Sequence, residues 1–204
     1  MLNPDMRIFV ALDLDQSIRQ RIETFVQQIR SNAPDVRWIG SDSLHVTLKF
    51  IGEVTEDTIP RIEGALAAIH SESFQLRFAG TGFFPAPRSA RVFWIGIAAS
   101  DALSNLAGRI DDALAEVGIE KEGRAFSPHL TLARARGGSG APGPRKGDKP
   151  NRQFAKLQDF LTAHPAQDFG TMTAREFFLY RSQLSSKGSQ YTKLAHFDLE
   201  PTTA

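Results

Sequence analysis

The sequence contains no cysteine among its 204 residues, and this absence removes several kinds of chemistry at once. It excludes disulfide bridges, metal sites built on thiolates and cysteine nucleophiles. A chain without cysteine also suits a reducing compartment. The first residues, 1–5, lack the charged and then apolar pattern of a signal peptide. We therefore expect a cytoplasmic protein.

The chain also lacks a large charge excess and a long apolar run. Its formal net charge is +1, so it has no overall basic field, and any contact with RNA must be local. No apolar run reaches the roughly 18–20 residues that a membrane span requires. Hydrophobic residues make up 41% and charged residues 23% of the sequence, which is typical of globular proteins. We expect a soluble monomer without a membrane partner.

Two short segments of the chain carry nearly the same motif, histidine-apolar-threonine-apolar. The first runs from His45 through Thr47 to Leu48, and the second from His129 through Thr131 to Leu132. Successive side chains of a strand point to opposite faces, so each histidine shares a face with its threonine. The apolar residues of the two motifs point the other way, toward a core: Val46, Leu48, Leu130 and Leu132.

A repeated pair of imidazole and hydroxyl groups is typical of an active site with two matching halves. Two histidines can serve as general acid and general base near neutral pH, because their unperturbed pKa lies near 6.5. A duplicated fold can also repeat a structural histidine by descent, so the repeat alone leaves that alternative open. A metal site is a third interpretation, but two histidines without a neighbouring carboxylate or thiolate pattern form an incomplete ligand set.

Strands and helices alternate along the chain, and one motif strand falls in each half. We predict these motif strands at 44–51 and 128–134. The pattern favours an α+β protein of two related lobes, with antiparallel-rich sheets facing a central cleft and helices on the outer faces. The whole chain, 1–204, is predicted to form a single two-lobed domain.

Two segments rich in glycine and proline are predicted to be loops. The shorter, 80–87, follows a predicted strand at 74–78. The longer, 137–150, is predicted to be a mobile surface loop. Its cations Arg145, Lys146 and Lys149 could line a path for RNA phosphates or could simply be solvated.

The two motifs resemble those of the two-histidine phosphoesterase superfamily. Their flanks resemble the bacterial and archaeal RNA 2′,3′-cyclic phosphodiesterases, which are also called LigT-like proteins or 2′-5′ RNA ligases. The resemblance extends from about residue 7 to residue 199, and it rests on these segments: 7–12, 44–54, 128–134 and 191–194.

This resemblance implies a pseudo-twofold fold and the hydrolysis of a terminal 2′,3′-cyclic phosphate to a 2′-phosphomonoester, with no metal or other cofactor. By position in the motif, His45 is expected to be the proton donor and His129 the proton acceptor. Thr47 and Thr131 are expected to hold phosphate oxygens. The expected partner is RNA that ends in a 2′,3′-cyclic phosphate, and tRNA halves are one such RNA.

Further site residues are expected around the motifs. The resemblance assigns a phosphate contact to Arg134, although strand parity puts it opposite His129 unless the strand bulges near Ala133. Lys49 has the parity to join His45 and Thr47, and its alternative is a solvated lysine at a strand end. The candidates for stacking on a base are Phe9, Trp38 and Phe84.

Two other functions use the same residues. The same two histidines could run the reaction in reverse and join a cyclic phosphate to a 5′-hydroxyl as a 2′-5′ linkage. A module that binds nucleotides or RNA ends without catalysis could also keep such a cleft. The complete set of two histidines and two threonines favours the enzyme over the binding module.

Overall fold

A computed structural model describes residues 6–137, 150–164, 166–185 and 188–202. The strands within these residues are β1 Met6–Leu12, β2 Arg37–Trp38, β3 Val46–Val54, β4 Phe74–Phe84, β5 Val92–Ala99, β6 His129–Arg134, β7 Asp168–Ala174, β8 Glu176–Ser185 and β9 Gly188–Asp198. The helices are α1 Gln16–Ile29, α2 Ile59–Ala67, α3 Asp101–Glu116 and α4 Ala155–Thr162. None of the helices described there is long and apolar enough to cross a membrane.

The strands form two antiparallel sheets whose orders correspond. The first sheet has the order β3-β1-β8-β9, and the second has the order β2-β6-β5-β4-β7. If the short strand β2 is set aside, each sheet is a row of four strands that begins with a motif strand. This correspondence confirms the predicted α+β fold with two related lobes.

The helices follow the apolar spacing of the sequence. In α1, the residues Ile18, Ile22, Phe25 and Ile29 recur at three- and four-residue intervals, and all four are buried. The Oγ of Ser100 caps α3 by accepting a hydrogen bond from the backbone N–H of Ala102 at 3.4 Å. These helices bury one side of each sheet.

The buried side chains separate the two faces of the first sheet. On β1, Ile8, Val10 and Leu12 belong to the large core that both sheets and the helices share. Phe9 and Ala11 point to the opposite face and form a second, small cluster with Phe178 and Tyr180. The face that the helices leave uncovered therefore carries an aromatic patch beside the first motif.

Several boundaries differ from those expected. The motif strands run over Val46–Val54 and His129–Arg134, so His45 immediately precedes its strand. The loop predicted at 80–87 is wrong for its first half, because β4 continues to Phe84. Gly82 permits this, since a Cβ there would lie 2.2 Å from the Trp94 ring of the paired strand. The loop predicted at 137–150 lies outside the described residues except for its two end residues.

Candidate active site

His45 is held in one orientation by the backbone just before it. Its Nδ1 lies 2.8 Å from the carbonyl oxygen of Ser43. A carbonyl oxygen only accepts hydrogen bonds, so Nδ1–H donates and Nε2 remains available on the other side of the ring. The ring packs against Phe9 at 4.7 Å between centroids and against Tyr191 at 5.1 Å.

His129 repeats this arrangement in the second half. Its Nδ1 lies 2.7 Å from the carbonyl oxygen of Ser127, again two residues earlier in the chain. The edge of one ring meets the face of the other between His129 and Phe84, with centroids 4.9 Å apart. Both imidazoles are thus oriented by the same local hydrogen bond, and each leaves its Nε2 for other chemistry.

The two threonines lie at matching positions in the sheets. Thr47 pairs with Ala11 of β1, which belongs to the aromatic patch, so Thr47 lies on the uncovered face. Thr131 pairs with Trp94 of β5, whose ring contacts Phe84 at 5.0 Å. Both threonine side chains are half-buried. Each half of the chain therefore presents an imidazole and a hydroxyl on one face, as the motifs predict.

A β-bulge interrupts both motif strands at the same position. In β3, Thr47 pairs with Ala11 and Lys49 with Val10, so Leu48 is the extra residue. In β6, Leu132 is the extra residue in the same way. A bulge reverses the alternation of side chains beyond it. Residues after each bulge therefore lie on the face opposite to that expected from simple parity.

The second bulge brings Arg134 to the face of His129. Arg134 is half-buried, and its positive charge lowers the pKa of both His129 and His45. A charge affects two groups in this way only when both lie close to it. Tyr191, which contacts His45, also affects the pKa of Arg134. Arg134 therefore connects the two halves of the site.

The first bulge turns Lys49 away from His45, so the face expected for Lys49 is wrong. Its side chain is only 5% exposed and forms an ion pair with Asp111 of α3. Its Nζ also donates to the carbonyl oxygen of Glu120 at 2.6 Å. Lys49 thus joins the first motif strand to the helix and the segment that lead to the second motif.

The three aromatic residues expected to stack on a base differ in their surroundings. Phe9 is 2% exposed, and Trp38 packs into the core with its Nε1 donating to the carbonyl oxygen of Ala33. The Phe9 ring is thus closed to stacking, and Trp38, although half-buried, is held against the core, whereas Phe84 is half-buried beside His129. Phe50, which the motif analysis did not select, is 57% exposed and lies beside Phe9.

Phe50 can be identified from the sequence by comparing the two motifs position by position. Phe50 lies five residues after His45, just as Arg134 lies five residues after His129. The matching bulges put both side chains on the faces of their own histidines. The two halves are therefore equivalent in backbone but differ in chemistry, with a ring at one position and a cation at the other.

The histidines are poor proton acceptors in the free protein. The pKa of His45 is lowered to about 4, mainly by burial and also by Arg134 and Arg19, whereas the Ser43 carbonyl and Asp13 oppose this shift. Burial and Arg134 also lower the pKa of His129, against the opposing effect of the Ser127 carbonyl. Both rings are thus mainly neutral near pH 7 before an anion enters the site.

The described residues contain no group of three or more histidine, aspartate, glutamate or cysteine side chains arranged to hold a metal ion. The chemistry that this site can support through its own side chains is general acid-base catalysis, in which one imidazole accepts a proton and the other donates one. Threonine hydroxyls and the Arg134 guanidinium are groups that suit an anionic substrate.

Comparison with known proteins identifies relatives that match nearly the whole chain. The chain is 33% identical over 193 residues to an RNA 2′,3′-cyclic phosphodiesterase of Archaeoglobus fulgidus, covering 95% of this chain and 100% of that one. A protein of the same name from Methanothermobacter thermautotrophicus is 32% identical, covering 95% and 99%.

Solved structures extend the likeness to the fold. A Thermus thermophilus protein superposes with a TM-score of 0.76 at 27% identity, covering 97% of this chain and 100% of that one. Escherichia coli LigT complexed with 3′-AMP gives 0.72 at 26% identity, covering 96% and 98%. The model of the LigT-like phosphoesterases matches twice, at residues 12–94 and 95–191, once in each half. The chain belongs to the LigT-like phosphoesterase family.

Proposed function

We propose that this protein is an RNA 2′,3′-cyclic phosphodiesterase that converts a terminal cyclic phosphate into a 2′-phosphomonoester. The observation that carries the proposal is the pair of imidazoles, each oriented by a backbone carbonyl and both close to Arg134. Two relatives that carry this name match 95% of the chain at 33% and 32% identity.

The reaction requires one proton to leave water and another to reach an alkoxide. In the proposal, His129 accepts a proton from water through Nε2 while the water oxygen bonds to phosphorus. The bond between phosphorus and the 3′ oxygen breaks, and His45 donates a proton from Nε2 to that oxygen. The products are a 2′-phosphomonoester and a 3′-hydroxyl, so atoms and protons balance.

The electrostatics of the site suit an anionic substrate. Near pH 7 both histidines are mainly neutral in the free protein, since burial lowers the pKa of each. A bound phosphate diester brings a negative charge that favours the imidazolium form. Substrate binding therefore supplies the condition that His45 needs to act as an acid. Thr47, Thr131 and Arg134 provide donors for the non-bridging oxygens.

Phe50 is proposed to contact the base of the terminal nucleotide. It is exposed and lies on the same face as His45, because it pairs with Phe9 of β1, whose ring packs against His45. Nucleobases stack on aromatic side chains with little dependence on sequence. The proposed substrates are thus RNAs of varied sequence with a 2′,3′-cyclic phosphate end, including tRNA halves. We further propose that the protein acts as a cytoplasmic monomer.

The test is an assay of an RNA oligonucleotide that ends in a 2′,3′-cyclic phosphate, with the product isomer identified by phosphorus NMR. A 2′-phosphomonoester formed by the wild type, and lost in both His45→Ala and His129→Ala, is the expected result. A 3′-phosphomonoester or an unchanged substrate contradicts the proposal. An added RNA with a 5′-hydroxyl end tests the reverse direction, because ligation would give a joined product with a 2′-5′ linkage.

A further inference from the structure

Arg19 of α1 contacts the turn that precedes the first motif. Its guanidinium donates one hydrogen bond to the carbonyl oxygen of Ser41 and another to Oδ1 of Asp13 at 2.6 Å. The Arg19 side chain is only 12% exposed, so this contact is largely shielded from water. Ion pairs in such surroundings are more strongly oriented than those on an open surface.

The turn that Arg19 contacts is the one that orients His45. Residues Ser41–Ser43 form a single 3₁₀ turn, in which the Ser41 carbonyl accepts from the backbone N–H of Leu44 at 3.2 Å. The last residue of the turn, Ser43, supplies the carbonyl that accepts from Nδ1–H of His45. Arg19 thus contacts the carbonyl that closes the turn, two residues before the carbonyl that holds the imidazole.

Asp13 joins this turn to two other elements. Its carboxylate accepts from the backbone N–H of Leu14 at 2.8 Å and from Lys193 of β9 at 2.7 Å, in addition to Arg19. The Nζ of Lys193 also lies 3.7 Å from the centre of the Phe178 ring. The end of β1, helix α1 and β9 therefore meet at one carboxylate, and Arg19 links that carboxylate to the turn before the first histidine.

The second histidine has different surroundings. The segment before His129 is largely exposed, with Arg124 and Ser127 both open to solvent. The influences on the pKa of His129 are burial, the Ser127 carbonyl and Arg134, with no carboxylate among them. His45, in contrast, lies within the field of Asp13. Besides their burial and their aromatic neighbours, the two imidazoles thus differ in one anion and its partner cation.

We infer that Asp13 and Arg19 are positioning residues for His45, the proton donor of the proposed reaction. Arg19 holds the turn whose carbonyl orients the ring, and Asp13 supplies the negative charge that favours the imidazolium. The part that concerns proton donation rests on the proposed function. The other charged or titratable groups near His45 are Arg134 of β6, Tyr180 of β8, and Tyr191 and Lys193 of β9.

The test compares Asp13→Asn and Arg19→Gln with the control Arg77→Gln. Arg77 forms an ion pair of the same length, 2.6 Å, with Asp168 between β4 and β7. The first measurement is the titration of the His45 and His129 rings, followed by ¹⁵N NMR without substrate. Loss of the Asp13 anion should lower the pKa of His45, and loss of the Arg19 cation should raise it. The pKa of His129 should be the same in both variants as in the wild type.

The second measurement is kcat and KM on the cyclic-phosphate RNA, with folding checked by circular dichroism. Both variants should lose about ten- to hundredfold in kcat, the scale expected for a displaced catalytic group, with little change in KM. Arg19→Lys keeps the positive charge but loses the planar guanidinium that bonds two acceptors at once. Its kcat should therefore lie between those of Arg19→Gln and the wild type. Lys193→Gln provides a milder change at Asp13 if Asp13→Asn fails to fold.

Each outcome decides a separate point. If the pKa of His45 and kcat are the same in both variants as in Arg77→Gln, the positioning role is overturned. If the two variants shift the His45 titration in the same direction, the separate roles of anion and cation are overturned. An inactive wild type overturns the proposed function, yet the titration still decides whether Asp13 and Arg19 control His45.

Discussion

Leu48 and Leu132 occupy the same place in the two halves of the molecule, as the extra residues of two β-bulges. Each follows the threonine of its motif directly, and each is buried. The bulges turn Phe50 and Arg134 onto the faces of the two histidines. An exposed ring and a half-buried guanidinium thereby take equivalent places, which suits a nucleotide with one base and one charged phosphate.

Removal of either imidazole should abolish most of the activity. We expect His45→Ala and His129→Ala each to lower kcat on the cyclic-phosphate RNA by at least about 10²-fold, because each loses one proton transfer. The control is His164→Ala, at the exposed end of α4. Thermal unfolding should remain cooperative in all three variants. Near wild-type kcat in either motif variant would exclude that histidine from the proton transfers.

Replacement of Arg134 should affect both histidines at once. Its charge lowers the pKa of His45 and of His129, so Arg134→Gln should move both limbs of the profile of kcat/KM against pH to higher values. Loss of a phosphate donor should also lower kcat/KM by about 10²-fold or more. Arg175→Gln is the matched control, because Arg175 is exposed between β7 and β8. An unshifted profile would place Arg134 outside the site.

Truncation of Phe50 should weaken binding without stopping the chemistry. We expect Phe50→Ala to raise KM by about fivefold to a hundredfold, the range that corresponds to one stacked base, while kcat changes little. Phe50→Trp should restore KM, because it keeps an aromatic face. Phe160→Ala, on α4, controls for general loss of an aromatic ring. A fall in kcat at constant KM would argue against stacking.

Acid should destabilise the folded protein through His45. The pKa of His45 is about 4 in the folded protein and 6.5 for an unperturbed ring, so between these values only the unfolded chain binds the proton. The free energy of unfolding should therefore fall as pH drops through this window, by on the order of 1–3 kcal/mol. Denaturant titrations at pH 7.5 and 4.5 measure it. His45→Gln should flatten this dependence.

Excess EDTA should leave the hydrolysis rate unchanged. The reason lies in the donor set, since the described residues contain no group of three or more ligating side chains, and two histidines by themselves hold a divalent ion poorly. The measurement is kcat/KM before and after exhaustive dialysis against the chelator. Complete loss of activity that a divalent ion restores would contradict the proposed acid-base mechanism.

Local patterns in the sequence predicted the parts of the fold that depend on local physics. The apolar spacing of α1 and the serine that caps α3 can both be read from the sequence alone. The extent of β4 could not be predicted in this way. Gly82 lies in a segment rich in glycine and proline, yet it is a strand residue because the Trp94 ring of a neighbouring strand covers it.

Strand pairing between segments that are distant in sequence accounts for the wrong predictions about the site residues. Parity alone put Lys49 with His45 and Arg134 away from His129, and the bulges exchange these assignments. A bulge forms when the neighbouring strand fixes the register on both sides of the extra residue, here β1 for Leu48 and β5 for Leu132. Each motif contains no information about that register. Phe9 and Trp38 were likewise selected for residue type, whereas their burial depends on distant packing.

The sequence by itself determined which chemical groups are available: two imidazoles, each two residues from a hydroxyl and each on a strand that buries its apolar residues. Alternation along a strand is a local property, so a short motif is enough to specify it. Only the tertiary structure decided which cations and rings join those groups, and it placed Asp13 and Arg19 beside His45. Side-chain direction beyond a bulge and the fields of distant charges depend on pairing and packing between segments that are far apart in the chain.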